Sequence, residues 1–124
     1  MNLLLDTHAI LWFVAGEREL RNDARTAIES AERTYVSSAS IWELAVKHAR
    51  GRLITPERLP ERLRELGFIE LALGWEHAQV AGELPMHHRD PFDRMLVAQA
   101  IVEQLTIVTR DPMIGRYGVP VIAA

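Results

Sequence analysis

An α/β fold, with a central parallel sheet flanked by helices on both faces, follows from three features of the sequence. Short apolar runs at Leu3–Leu5, Thr34–Val36, Ile69–Leu73, Thr106–Thr109 and Val119–Ile122 read as strands. Most are separated by helical stretches of about ten residues or more, the spacing of βαβ units. Leu3-Leu4-Leu5 also shows no polar alternation, as expected of a strand covered on both sides. At 124 residues and 48% hydrophobic, the chain can bury about two thirds of its unfolded surface in one core. Residues 1–124 are therefore read as a single domain.

The elements follow in order. After the first strand, Ala9 to Val14 continues as a short apolar helix. Arg21 to Arg33 carries Ala24, Ala27, Ile28 and Ala31 at helical spacing among charges, which predicts an amphipathic surface helix. Ser37 and Ser38 supply N-cap hydroxyls for a helix from Ser40 to Arg50 that stops at Gly51. Thr55-Pro56-Glu57 reads as a cap, a first-turn proline and an acidic first turn, opening a helix that runs to Gly67. A further helix spans Trp75 to Leu84. Asp90-Pro91 repeats the cap-then-proline pattern and opens a helix through Gln104, with Met95, Leu96, Ala98 and Val102 as its buried stripe.

Composition excludes several kinds of chemistry. With no cysteine there is no disulfide, thiolate zinc site or cysteine nucleophile, so catalysis must use carboxylates, histidines or hydroxyls. Met1-Asn2-Leu3-Leu4-Leu5 has no basic flank and reaches Asp6 after three leucines. It is neither a signal peptide nor a membrane span, and a cytoplasmic location is expected. A net charge of -3 argues against a nucleic-acid binder built on overall basicity. A metal-loaded acidic site would reverse the local sign.

Four acids stand where such a site would form. Ligand sites in open parallel sheets lie at the carboxyl ends of the strands, and Asp6 and Asp111 each follow an apolar strand directly. Glu43 and Asp93 are read as first-turn residues of helices that follow a strand or loop. Converging carboxylates repel one another and raise their own pKa values, so a divalent cation is what makes the arrangement favourable. Mg²⁺ takes oxygen ligands and shares them with substrate phosphates, which suits phosphodiester hydrolysis.

Each acid also has a purely structural reading. Asp111 before Pro112 can cap a turn, and Asp90 before Pro91 is read as the N-cap of its helix. Asp93 suits the helix dipole, and Glu43 can pair with Lys47 at i, i+4 as a surface salt bridge. Asp6 is the hardest to explain this way, because a carboxylate closing a buried strand needs a partner. His87-His88 is adjacent in sequence, and such neighbours seldom converge on one metal. Trp12, Phe13 and Trp42 are read as core or subunit-interface aromatics. Arg89, Arg94, Arg110 and Arg116 flank the acids and are candidates for phosphate binding, the alternative being solvated surface residues.

Four segments together resemble the PIN-domain proteins of the VapC toxin type. They are Leu4-Leu5-Asp6-Thr7-His8, the run Val36-Ser37-Ser38-Ala39-Ser40-Ile41-Trp42-Glu43-Leu44-Ala45, the run Asp90-Pro91-Phe92-Asp93-Arg94-Met95-Leu96-Val97-Ala98-Gln99-Ala100, and Ile107-Val108-Thr109-Arg110-Asp111. The resemblance implies a PIN-like fold and an endoribonuclease that uses Mg²⁺ or Mn²⁺. It also implies a homodimer held inactive by a cognate VapB-type antitoxin whose tail lies over the acidic groove. The family's four acids fall on Asp6, Glu43, Asp93 and Asp111, as catalytic and metal-binding residues. Polar family residues beyond the fourth acid are not matched, since Pro112-Met113-Ile114 follow Asp111. One alternative is a haloacid dehalogenase-like phosphatase, but that class wants an aspartate where His8 stands. The other is a non-catalytic module that binds RNA or protein.

Overall fold

The computed structural model describes residues 1–124 as a five-stranded parallel sheet with helices on both faces. The elements are β1 (Asn2–Leu5), α1 (Thr7–Ala15), α2 (Asn22–Ser30), β2 (Arg33–Ser37), α3 (Ser38–Ala49), α4 (Leu59–Glu65), β3 (Ile69–Leu71), α5 (Trp75–Glu83), α6 (Pro91–Glu103), β4 (Thr106–Thr109) and β5 (Val121–Ala123). A 3₁₀ turn at Ile114–Tyr117, which sequence patterning did not reveal, precedes β5. Strand order is β3-β2-β1-β4-β5. The chain winds outward from β1 in one direction, then returns to add β4 on the other side of it. The crevice beyond the carboxyl ends of β1 and β4 is thus the topological switch point, where open α/β sheets hold ligands.

Alternation along the central strand explains the two-sided cover. Leu3 and Leu5 join one core with Ile10, Ala24, Ile28, Leu44 and Leu63. Leu4 points to the other, with Leu96, Val97, Ile107 and Ile114. All three leucines are fully buried, each contributing about 1.5–3 kcal/mol of apolar burial. Register carries the switch point to its place, with Leu5 paired to Val108 and the Asp6 amide donating to the Val108 carbonyl at 3.0 Å.

Several boundaries move from their sequence positions. The first helix starts at Thr7, with Asp6 as its N-cap, and Glu43 lies in the second turn of α3, because α3 begins at Ser38 with Ser37 as cap. The helix expected at Thr55 starts instead at Leu59 behind Arg58, whose φ is 54°. Pro60 rather than Pro56 takes the first-turn proline slot, and this phase buries Leu59 and Leu63 one turn apart. Core contact set the start where two proline signals competed. Helix α6 buries Leu96 through Ala100 without a break, Val97 and Gln99 included, while Met95 and Val102 are only partly covered. A single stripe was too narrow a reading, since α6 lies between the sheet, α3 and α5. The last strand is Val121–Ala123, displaced past Pro120, which has no amide to donate.

Candidate active site

Asp6 caps α1. Its Oδ1 accepts from the Ala9 amide at 2.9 Å and its Oδ2 from the Thr109 hydroxyl at 2.5 Å. Burial pushes its pKa up, and although those two hydrogen bonds and the nearby His8 pull it down, with Glu43 adding repulsion, it stays above the ordinary carboxylate value. The same Thr109 hydroxyl accepts from the Asp111 amide at 3.1 Å. Thr109 therefore ties the first acid to the fourth across the switch point.

Glu43 is only 5% exposed, too deep for the surface ion pair that its spacing to Lys47 suggested. Its Oε1 accepts from the Thr7 hydroxyl at 2.6 Å and its Oε2 from Lys47 Nζ at 2.7 Å. The pairing with Lys47 is present, and its setting is a buried carboxylate with both oxygens satisfied, as burial demands.

Asp93 is different. It lies in the first turn of α6, where the helix dipole alone would favour the ionised form. Burial first, then repulsion from Asp90, Glu43 and Asp111, raises its pKa to about 6 despite the attraction of His88. A helix-dipole role does not account for an acid held in that state. Asp90 is the N-cap, its Oδ1 accepting from the Phe92 amide at 2.9 Å.

Asp111 accepts from the Met113 amide at 2.9 Å and meets His88 Nε2 at 2.7 Å. Burial works against its charge, but His88 and the Met113 amide prevail and its pKa is lowered. An ionised Asp111 only accepts, so His88 Nε2 donates to it, and His88 Nδ1 lies 3.1 Å from the Tyr117 hydroxyl. His88, Asp93 and Asp111 offer ligand atoms within 4.8 Å of one another, a spacing that suits one cation.

His88 was undervalued in the sequence because it was weighed as half of a pair. Only His88 enters the site, while His87 packs edge-on against Tyr117 with ring centroids 4.8 Å apart. Arg94 puts it there. The guanidinium donates to the carbonyls of Ala81, Leu84 and Pro85 at 2.8–3.0 Å, gathering the loop between α5 and α6. Arg94 is thus a loop clamp rather than a phosphate ligand. Arg110 is likewise committed, donating to the Ala124 and Glu19 carbonyls and lying 4.2 Å over the Trp12 ring. Trp12 and Phe13 pack against the larger core, as read, whereas Trp42 is 62% exposed and stands edge-on to Phe92.

The PIN domain family model matches residues 3–120. The chain is 32% identical over 117 residues to Ribonuclease VapC22 of Mycobacterium tuberculosis, covering 88% of this chain and 86% of that protein. Its fold is similar to that of DNA-bound VapBC from Salmonella typhimurium, with a TM-score of 0.71 at 17% identity over 98% and 97% of the two chains. It is also similar to FitAcB from Neisseria gonorrhoeae, with a TM-score of 0.67 at 19% identity over 98% and 96%. With the sequence match spanning nearly the whole chain and the fold agreeing with it, this protein belongs to the PIN-domain family.

Proposed function

We propose that the protein is a divalent-cation-dependent endoribonuclease of the VapC type, with Asp6, Glu43, Asp93 and Asp111 as its catalytic and metal-binding acids and Mg²⁺ as the cation. It acts as the toxin of a VapBC-type pair in the cytoplasm, as a homodimer restrained by a VapB-type antitoxin. The observation that carries this reading is that Asp93 and Asp111 stand with His88 in one ligand cluster, while Glu43 acts electrostatically on both Asp93 and Asp6, linking acids from four separate segments. It is joined by the likeness to a ribonuclease over most of the chain. No helix is long and apolar enough to cross a membrane.

The donor set fits a hard cation, because Asp93 keeps a raised pKa that a positive charge would relieve. Oxygen donors suit Mg²⁺, and His88 beside them also admits Mn²⁺. When bound, the cation supplies polarisation of the phosphodiester and a more acidic water. The protein's own part is positioning. Thr109 and the Ala9 amide hold Asp6, Thr7 and Lys47 hold Glu43, and His88 holds Asp111. Asp93, in its metal-free state, takes up a proton near pH 6. The test is cleavage of a labelled RNA by purified protein, expected with Mg²⁺ or Mn²⁺ and lost in excess chelator. Cleavage that survives the chelator overturns the metal mechanism.

A further inference from the structure

The acidic row continues at Glu43 into a second cleft of opposite character. Its wall on the α3 side carries Lys47, Arg50 and Arg52, and the facing wall carries Asp90, Pro91 and Phe92. Glu43 forms the boundary, since it lines this cleft and also acts electrostatically on Asp6 and Asp93. Lys47 is spent on Glu43. Asp90 caps α6 with one oxygen, leaving its charge to set against two guanidinium groups.

Those two groups have nothing else to do. Arg94 and Arg110 are tied to backbone carbonyls, Arg25 and Arg62 reach carbonyls, and Arg21 and Arg64 pair with acids, while Arg18, Arg33, Arg58, Arg89 and Arg116 are exposed and unpartnered but line no part of this cleft. The side chains of Arg50 and Arg52 are exposed and make neither a hydrogen bond nor an ion pair within the protein. Their backbones are nevertheless fixed. The Arg50 amide donates to the Val46 carbonyl at 3.2 Å, the Gly51 amide to the His48 carbonyl, and the Arg52 amide to the Lys47 carbonyl, each at 3.0 Å. Gly51 has a φ of +70°, a left-handed turn that brings Arg52 back beside the helix end. A chain of net charge -3 thus presents two free guanidinium groups on an ordered turn at the border of its acid cluster.

We propose that this cleft is a phosphate subsite, in which Arg50 and Arg52 bind a non-reacting backbone phosphate of the RNA beside the one at the acids. The inference rests on the nuclease reading given above and names how its substrate is held. Guanidinium forks bind phosphate oxygens bidentately, and a contact away from the reacting bond orients a strand without reading its sequence. It also lets a negatively charged protein hold a polyanion at a site whose remaining groups are acidic.

The experiment compares wild-type protein with Arg50→Gln/Arg52→Gln and with Arg33→Gln, using a short fluorescein-labelled single-stranded RNA of mixed sequence. Arg33 is an exposed arginine without a partner at the amino end of β2, away from the carboxyl ends of the strands where the acids lie. Affinity is read by anisotropy across a salt series with Mg²⁺ present, in an Asp93→Asn background so that the RNA stays whole. Cleavage is measured separately with Asp93 intact. Each lost phosphate contact should make the slope of log affinity against log salt shallower by about 0.7 for a single strand. With one phosphate shared by both guanidinium groups, the double variant should therefore lose about 0.7 in slope and raise KM with kcat little changed, while Arg33→Gln leaves both as they were. If wild-type protein binds and cuts RNA but the double variant keeps the full slope, or Arg33→Gln flattens it equally, the subsite is wrong and the nuclease reading stands. If wild-type protein neither binds nor cuts RNA, the nuclease reading fails and the subsite with it.

Discussion

Asp6 and Glu43, at one end of the acidic row, have all four of their carboxylate oxygens engaged by Ala9, Thr109, Thr7 and Lys47. Asp93, at the other end, accepts no hydrogen bond from the protein and titrates near pH 6. The first pair is knitted into the fold, so its geometry is prepared before any ligand arrives. Asp93 bears the repulsion of its neighbours and is the acid with most to gain from a cation. The contrast separates acids that help hold the domain together from an acid that the domain tolerates.

The largest effect expected from this contrast is catalytic. Asp93→Asn should lower RNA cleavage in Mg²⁺ by about a hundredfold or more, with the fold retained, as read by a gel-based rate assay beside circular dichroism. A variant that cuts normally would remove Asp93 from the site and with it the contrast.

Next comes Thr7→Val, which strips Glu43 of a 2.6 Å hydrogen bond inside the protein. A buried carboxylate left without a donor should cost about 2 kcal/mol, measured by urea unfolding in chelator. A loss near zero would mean that Glu43 is not part of the structural pair.

The third prediction concerns pH. The folded-state pKa of Asp93, about 6, lies above its unfolded value of 3.8, so the folded protein holds this proton more tightly. Ionising Asp93 therefore opposes folding, and its penalty grows as pH rises from about 4 to about 6, then stays constant. In chelator, Asp93→Asn should stabilise the protein by about 1 kcal/mol at pH 7, after solvent screening of a half-buried side chain is allowed for. It should do nothing at pH 4. Thermal melts at the two pH values read this directly, and an equal gain at both would locate the effect in something other than charge.

The smallest prediction isolates the cap. Asp90→Ala should cost about 1 kcal/mol by losing the bond to the Phe92 amide, while cleavage largely survives. Loss of cleavage without loss of stability would make Asp90, rather than Asp93, the acid of that segment.

Much of this architecture was legible from local pattern. Leu3-Leu4-Leu5 declared a strand covered on both faces, Asp90-Pro91 declared a helix start, and strands ending in Asp6 and leading to Asp111 declared an acidic edge. These signals work because strand burial, capping and proline placement depend on a few adjacent residues. Thr55-Pro56 carried the same kind of signal and misled, because Leu59 and Leu63 had a core to reach and the phase of α4 followed them.

What the tertiary structure alone decided is who partners whom. Thr109 reaches Asp6 across 103 positions of sequence, Thr7 reaches Glu43 across 36, and His88 reaches Asp111 across 23. None of these distances has a periodicity. The first exists because β4 returns to lie beside β1, the second because β2 pairs with β1 and sets α3 against α1, and the third because Arg94 gathers the loop that carries His88. The sequence by itself determined that Asp6, Asp93 and Asp111 would stand at element ends, with Glu43 on the helix after β2. Strand order and loop clamping decided which of them would be satisfied and which left charged against its neighbours, because hydrogen bonding and repulsion depend on distance in space rather than along the chain.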